Sequence, residues 1–286
     1  MHHACHAVLV GGLLSAALCG QSGTFQVRSP LGRYFRSLPD EKGIVAAAEK
    51  NLAADPGNVK LILKLSQALA ALWQEKEVSP FARAVWQSIP DNADLLTERG
   101  HREVPLREFA RARPDLARAV ALDPKQTEAY YHLGLAYYFL GEFGPAAEAF
   151  CKGRDLVTSQ DSIVNFTNWC YVAIRRAGHQ EEAAKVLEKV PAGMQSNPGH
   201  TEFYFNLVRF YQGRKTEAEI LPPEPRHPGD VEAELAFDTI AYEIGNWHLY
   251  NGDPANARTY FERVAKGAVW VTWGFIGSET ELARLK

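Results

Sequence analysis

The residue types that most often carry chemistry are scattered along this chain and form no catalytic motif. No two histidines beyond the first twenty residues share a helical face at a spacing of four residues, which is what a helical zinc site requires. Beyond the first twenty residues they are His101, His132, His179, His200, His227 and His248. The sequence also has no G-x-S-x-G turn, no phosphate-binding glycine loop and no dinucleotide-binding glycine motif. It therefore predicts no catalytic residue, no metal site and no cofactor.

The four cysteines give no metal-binding pattern either, because no C-x-x-C pair or Cys/His ligand spacing is present. Cys151 and Cys170 are predicted to lie on neighbouring helices, so a disulfide can form between them if the protein is exported. The interpretation favoured by the sequence alone is simpler. Cys170 occupies a core position, where cysteine behaves as a small hydrophobic residue.

The elements that position these residues follow a fixed period of 34 residues. Three consecutive windows, Val59–Asn92, Ala93–Gln126 and Thr127–Gln160, align in register. Two helices can lie antiparallel and close only where small residues stand at their approach, and position eight of each window is small. It is Ser66, Gly100 and Gly134, and a proline near the end of the first two windows forbids helix continuation. Such a period indicates stacked helical hairpins.

The third window, T-E-A-Y-Y-H-L-G-L-A-Y-Y-F-L-G-E-F-G-P-A-A-E-A-F-C-K-G, resembles the tetratricopeptide repeat. The matching positions are Tyr130, Leu133, Gly134, Tyr137, Ala146, Phe150 and Gly153. The whole repeat order is similar to that of bacterial tetratricopeptide proteins. This resemblance implies an all-α fold, an α-solenoid in which antiparallel helical hairpins form a right-handed superhelix with a capping helix at each end.

The repeat register divides the chain into eight segments. We expect a signal peptide over residues 1–20, an irregular lead-in over 21–40 and an N-terminal capping helix over 41–58. The expected repeats are three in register over 59–160, a fourth over 161–199, a truncated fifth hairpin with a Pro-rich loop over 200–237 and a sixth over 238–271, followed by a C-terminal capping helix over 272–286. A polar outer face is expected on that last helix, because an array needs a solvated end.

Recognition is the chemistry that the repeats favour. In tetratricopeptide arrays the first helix of each unit lines the concave face, and here those positions carry aromatic, arginine and asparagine side chains. These types supply rigid contact area and hydrogen bonds to carboxylates and backbone. The predicted partner-binding residues are Tyr131, Tyr138, Phe139, Asn165, Asn168, Arg175, Arg176, Arg209, Tyr242 and Asn246.

The apolar run Ala7–Leu18 has the length of a signal-peptide core and is too short for a permanent membrane span. Cleavage after Ala17 leads to a periplasmic or secreted protein, whereas lipidation of Cys19 leads to a membrane-anchored lipoprotein. The start M-H-H-A-C-H has no Lys or Arg, so a cytoplasmic protein is the remaining alternative. A membrane is an expected partner only with the lipid at Cys19.

A net charge of −3 argues against nucleic acid as the main partner, because phosphate binding needs a basic face. The sequence therefore favours a non-enzymatic scaffold in the cell envelope that binds a protein or peptide in its concave groove. A regulatory or assembly subunit of an enzyme complex is the alternative.

Overall fold

The computed structural model describes residues 23–76, 91–195 and 202–286. Over those residues the chain has one antiparallel pair of strands and thirteen α-helices. The strands are β1 (Phe25–Arg28) and β2 (Tyr34–Arg36); the helices are α1 (Ile44–Ala54), α2 (Val59–Ala71), α3 (Ala93–Glu103), α4 (Phe109–Leu122), α5 (Thr127–Leu140), α6 (Phe143–Leu156), α7 (Gln160–Arg176), α8 (Gln180–Val186), α9 (Glu202–Tyr211), α10 (Glu217–Ile220), α11 (Val231–Tyr250), α12 (Pro254–Val264) and α13 (Trp273–Arg284).

Consecutive helices pack as hairpins, and each hairpin packs on the next from α3 to α8. The predicted all-α solenoid is therefore confirmed. The predicted helix between 41 and 58 is α1, which packs on α2. The second helix of the first repeat would fall within residues 77–90, and part of the fourth within 196–199, both outside the described residues.

The glycines at position eight lie at the closest approach of the two helices in a repeat. A Cβ added to Gly134 would lie 2.5 Å from the Phe150 ring, and one added to Gly100 would lie 2.4 Å from Leu116 Cγ. Both distances are below van der Waals contact, so a larger residue at either position would push the helices apart. The packing that the sequence spacing predicts is present in both repeats.

The segment expected to be an irregular lead-in is instead a β hairpin, formed by β1 and β2. Phe35 stacks on Trp270 with ring centroids 5.6 Å apart and meets Phe275 edge to face at 5.5 Å. Trp270 Nε1 also donates a hydrogen bond to the Arg36 carbonyl at 3.1 Å. The hairpin forms because it covers these aromatic rings, which belong to the far end of the described chain.

Helix α13 is not the solvated cap that the sequence predicts. All its residues from Gly274 to Leu282 are buried, and it packs against α11 and α12. A Cβ at Gly274 would lie 2.2 Å from the Asp238 carbonyl oxygen, and one at Gly277 would lie 2.3 Å from the Tyr242 ring. The glycines of α13 therefore allow it to lie against α11, which makes it part of the core.

Other element bounds differ from the prediction by local capping. Helix α11 begins at Val231 rather than 238, because the Asp230 side chain accepts a hydrogen bond from Ala233 N and caps the helix. The truncated fifth hairpin is present as α9 and the one-turn helix α10, which Thr216 and Glu219 close with a reciprocal capping box.

A disulfide joins Cys151 on α6 to Cys170 on α7, whose Cα atoms lie 5.3 Å apart. The interpretation of Cys170 as a free, small hydrophobic residue is therefore wrong. The antiparallel packing of α6 on α7 brings the two cysteines within bonding distance, and Cys170 is fully buried with its bond formed.

Candidate functional site on the inner face of the solenoid

The inner face of the solenoid carries a buried polar cluster built from α5, α7, α11 and α13. Tyr138 donates its hydroxyl hydrogen to Asn246 Oδ1 at 3.2 Å, and Arg176 Nη1 donates to the same oxygen at 2.8 Å. Arg176 Nη2 forms an ion pair with Glu281 Oε2 at 2.9 Å, and the two side chains are 10% and 2% exposed. Arg176 thus connects the inner face directly to α13.

A buried carboxyl group lies beside this cluster on α11. Glu243 accepts hydrogen bonds from Asn168 Nδ2 at 3.2 Å and from Asn246 Nδ2 at 3.4 Å. Burial raises the pKa of Glu243 to about 7, and the bonds from the two asparagines and the charge of Arg176 oppose that rise. The cluster therefore combines a permanent cation with an acid that titrates near neutral pH.

A second buried ion pair lies between the loop after α3 and α13. Arg107 Nη2 lies 2.7 Å from Glu279 Oε2, with side-chain exposures of 6% and 0%. The same nitrogen donates to the Trp270 carbonyl at 3.1 Å. Burial lowers the pKa of Arg107, while the neighbouring Glu279 opposes that shift. Two acidic side chains of α13 are thus held by arginines of earlier elements.

Two histidines contact the first turn of α13. The His101 and His132 rings stack with centroids 4.2 Å apart, and Trp273 lies 5.9 Å from the first and 6.0 Å from the second. Burial lowers the pKa of both imidazoles to about 4. The rings are therefore neutral at pH 7 and pack as aromatic groups.

Half of the predicted partner-binding residues meet in the polar cluster, but they are buried rather than open to a partner. They are Tyr138, Asn168, Arg176, Tyr242 and Asn246. The prediction of an open groove at these positions is wrong for this conformation. The physical reason is that α13 lies on the inner face, where it contacts α3 through Trp273, α5 through Arg284 and α7 through Glu281.

Tyr131 and Phe139 on α5 are also buried. Tyr131 meets Phe166 edge to face at 5.6 Å, and the Phe139 ring centroid lies 5.2 Å from that of Phe109. Both side chains belong to the aromatic core between successive repeats, so neither reaches a partner here. Asn165 is partly buried, and its Oδ1 has no hydrogen-bond partner among the described residues.

The remaining two arginines do not join the cluster. Arg175 Nη2 donates to Asn251 Oδ1 at 2.8 Å, and its guanidinium lies 4.3 Å from the Tyr250 ring centroid. Arg209 Nη2 donates to the Pro191 carbonyl at 3.1 Å and to the Met194 carbonyl at 2.8 Å. Arg209 therefore holds the loop after α8, away from Arg176.

The acidic half of the site, which is Glu243, Glu279 and Glu281, was not predicted from the sequence. A signal for the last two is present in G-F-I-G-S-E-T-E, because glycines spaced by three residues mark a helix that approaches another closely. A helix of that kind is rarely a solvated cap, and its carboxylates then require buried cations.

The described residues form no metal site and contain no membrane-spanning helix. No group of three or more His, Cys, Asp or Glu side chains in 23–76, 91–195 and 202–286 could hold a metal ion. None of the helices in those ranges is long and apolar enough to cross a membrane.

The helical hairpins and their glycine contacts define an α-solenoid. This class of fold commonly mediates protein–protein interaction. A family model described as the tetratricopeptide repeat matches residues 97–153, which contain α4, α5 and most of α3 and α6. Residues 97–153 thus match the tetratricopeptide repeat, as the sequence resemblance of this part of the chain predicts. Such repeats are typically non-catalytic scaffolds for protein–protein interaction.

No curated protein matches the chain. Among solved structures, a crystal structure of MamA is 27% identical, covers 52% of this chain and 85% of its own, and has a TM-score of 0.44. A second MamA crystal structure is 25% identical, covers 55% of this chain and 88% of its own, and also has a TM-score of 0.44.

Proposed function

We propose that this protein is an interaction scaffold whose inner face binds a helix of a partner protein in competition with α13. The observation that carries the proposal is the position of α13 itself, which lies on the inner face as a helix in a groove. Helix-in-groove binding is an established mode of peptide recognition. A surface that holds one helix through two arginines has the chemistry to hold another.

The partner helix should be acidic on its bound face. Arg107 and Arg176 pair with Glu279 and Glu281 of α13, and a competing helix must supply carboxylates to replace them. Otherwise two buried cations would be left uncompensated, which is strongly unfavourable. Small residues at the positions of Gly274 and Gly277 are required as well, because α11 leaves no room for larger ones.

The packing of α13 on the inner face leaves several buried polar atoms without a hydrogen-bond partner among the described residues. Ser278 Oγ, Glu279 Oε1 and Asn168 Oδ1 are buried without a hydrogen-bond partner among the described residues. Each such atom loses its bonds to water without a replacement, at a typical cost of 1–3 kcal/mol. When a partner helix displaces α13, Ser278 and Glu279 regain hydrogen bonds to water, and a partner that also satisfies Asn168 binds the same face more tightly than α13, which favours exchange.

A peptide of residues 271–286, labelled at its N-terminus, tests the competition. The full chain with Glu279→Gln and Glu281→Gln should bind this wild-type peptide at least tenfold more tightly than the wild-type chain does. The substitutions weaken the internal helix, and the apparent affinity rises with the fraction of open groove. Fluorescence anisotropy measures the affinity, and circular dichroism verifies that helix content is retained.

The same two substitutions placed in the peptide give the matched control, which should bind weakly to both chains. Replacing the exposed Glu181 and Glu182 of α8 with Gln gives a second control with the same change of charge. Equal binding of the wild-type peptide to the variant and wild-type chains, with the variant folded, would contradict the proposal.

We further propose that the protein works in the cell envelope after export. The support is the disulfide between Cys151 and Cys170 together with the apolar run Ala7–Leu18, because disulfides persist in oxidising compartments. The run itself lies outside the described residues. Deletion of Met1–Gly20 should confine the protein to the cytoplasm.

Mass spectrometry of the native protein determines whether it has been exported. A terminus at Leu18 or just beyond it indicates cleavage, and a diacylated Cys19 indicates an anchor. An intact Met1 with free thiols at Cys151 and Cys170, on protein recovered from the cytosol, would refute export.

A further inference from the structure

The outer side of the β hairpin carries two exposed aromatic rings surrounded by three cations. The exposed fractions of Phe25 and Tyr34 are 43% and 67%, although both are large apolar side chains. Arg28, Arg36 and Lys76 are exposed beside them. We call these five residues the cation–aromatic face. The opposite side of the hairpin is apolar, and its residues Val27 and Phe35 are buried in the protein core.

The cation–aromatic face is a single contiguous patch. The Phe25 and Tyr34 ring centroids lie 5.9 Å apart. The Arg28 guanidinium lies 5.7 Å from the Tyr34 ring centroid, and Lys76 Nζ lies 4.9 Å from that of Phe25. Both cations thus lie within reach of a ring face, which keeps the charges and the rings together.

Within the part of the chain that the structure describes, the three cations have no carboxylate partner. Arg28, Arg36 and Lys76 form no ion pair among the described residues. Arg36 Nη1 donates to the Gly23 carbonyl at 2.6 Å, which fixes its position without neutralising it. Over the described residues, this side of the hairpin therefore carries three exposed cations that no carboxylate neutralises, in a protein of net charge −3.

We propose that the cation–aromatic face docks onto an anionic lipid bilayer. Tyrosine and other amphipathic rings favour the headgroup level of a membrane, and arginine and lysine are attracted to anionic headgroups. An apolar ring that is left exposed gains burial there, which a purely acidic protein surface would not provide. The face therefore fits a surface that is both anionic and partly apolar.

The position of the hairpin in the chain favours the same occupant. Phe25 follows Leu18 by only seven residues, and a fully extended chain of that length spans at most about 25 Å. A membrane that holds the apolar run 7–18 or a lipid at Cys19 is therefore within reach of the face. One lipid signal alone gives marginal binding, and a basic patch is a common second signal.

Flotation of the full chain with lipid vesicles tests the proposal. Vesicles of equal phosphatidylglycerol and phosphatidylcholine are compared with vesicles of phosphatidylcholine alone. Replacing Arg28, Arg36 and Lys76 with Gln should reduce the preference for the anionic vesicles about 100-fold, since each cation near an anionic surface strengthens association about fivefold. The leader is present in every variant, so its own contribution is constant.

A matched control removes three exposed cations from another side of the solenoid, through Lys152→Gln, Lys185→Gln and Lys189→Gln. This variant has the same net charge and should keep the anionic preference. A second variant, Tyr34→Ala, removes an exposed ring without disturbing the core and should weaken binding to both kinds of vesicle.

Three outcomes would overturn the proposal. The first is equal loss in the patch variant and the lysine control, which would mean that only net charge matters. The second is the absence of any preference for anionic vesicles in the wild-type chain. The third is tight binding of an acidic peptide such as hexaglutamate to the face without vesicle binding, which would assign it to an acidic protein partner. None of these results depends on whether the inner face binds a helix.

Discussion

Replacement of Arg107 with methionine is expected to lower the free energy of unfolding by about 3–5 kcal/mol. The Glu279 side chain has no exposure to solvent, and Arg107 is its partner. Without the guanidinium, Glu279 is either a buried unpaired charge or must take up a proton. The Trp270 carbonyl also loses its hydrogen bond from Arg107. Urea unfolding followed by circular dichroism at pH 7 measures the change.

A double variant separates this explanation from a loss of packing. When Glu279 is also replaced by methionine, no unpaired charge remains, and most of the lost stability should return. Buried ion pairs can often be replaced by apolar groups of similar size with little loss. A single variant as stable as the wild type would contradict the burial of the pair, and a double variant less stable than the single one would contradict the electrostatic explanation.

Acidification from pH 7 to pH 4 is expected to remove the stability that the neutral histidines contribute. The pKa of His101 and His132 is about 4 in the folded protein, against about 6.5 when unfolded. Between these values the unfolded chain binds more protons, so stability falls as the pH falls. The contribution is complete above pH 6.5, and its size is on the order of 3 kcal/mol for each imidazole.

The sign of this effect follows from the burial of the two imidazole rings and from the charged groups around them. Arg102 lowers the pKa of His101, and each protonated ring would repel the other, whereas Glu98 and Glu128 oppose the shift at His132. Burial is the largest cause at both, so the net direction is downward.

The effect must be measured as a difference in unfolding free energy between the wild type and a variant without the two histidines. Other buried groups change the stability in the opposite direction as the pH falls. The pKa of Glu75, Glu103 and Glu243 is raised to about 7 and that of Asp238 to about 8, mainly by burial. These acids bind protons in the folded state first, so they favour folding at low pH. The wild type should lose stability relative to His101→Asn/His132→Asn as the pH falls. A constant difference from pH 7 to pH 4 would refute the assignment.

The packing within each repeat was predictable because it depends on residues that lie close together in the sequence. Gly100 and Gly134 stand where two helices of one repeat must approach, and the structure brings them against Leu116 and Phe150. The residues of one hairpin decide that packing. The same is true of most helix bounds, since caps such as Asp230 act within one turn.

The contents of the inner face were not predictable in this way. The repeat register predicts Tyr138, Arg176 and Asn246 as inward-facing residues, but it carries no information about which segment covers them. That depends on contacts between residues distant in sequence, such as Arg176 with Glu281. The β hairpin was missed for the same reason, because its strands are short and are stabilised by Trp270 and Phe275.

The contact between the β hairpin and the segment before α13 has a consequence for how the protein folds. Arrays of repeats can usually nucleate anywhere and unfold in parts, because each unit contacts only its neighbours. Here Arg33 Nη2 bonds to the Gly267 carbonyl, 234 positions along the chain. Loop closure on that scale raises the contact order and slows the final step of folding. During synthesis the hairpin must wait for residues 265–275 to leave the ribosome, and until then the Phe35 ring remains exposed and can promote aggregation.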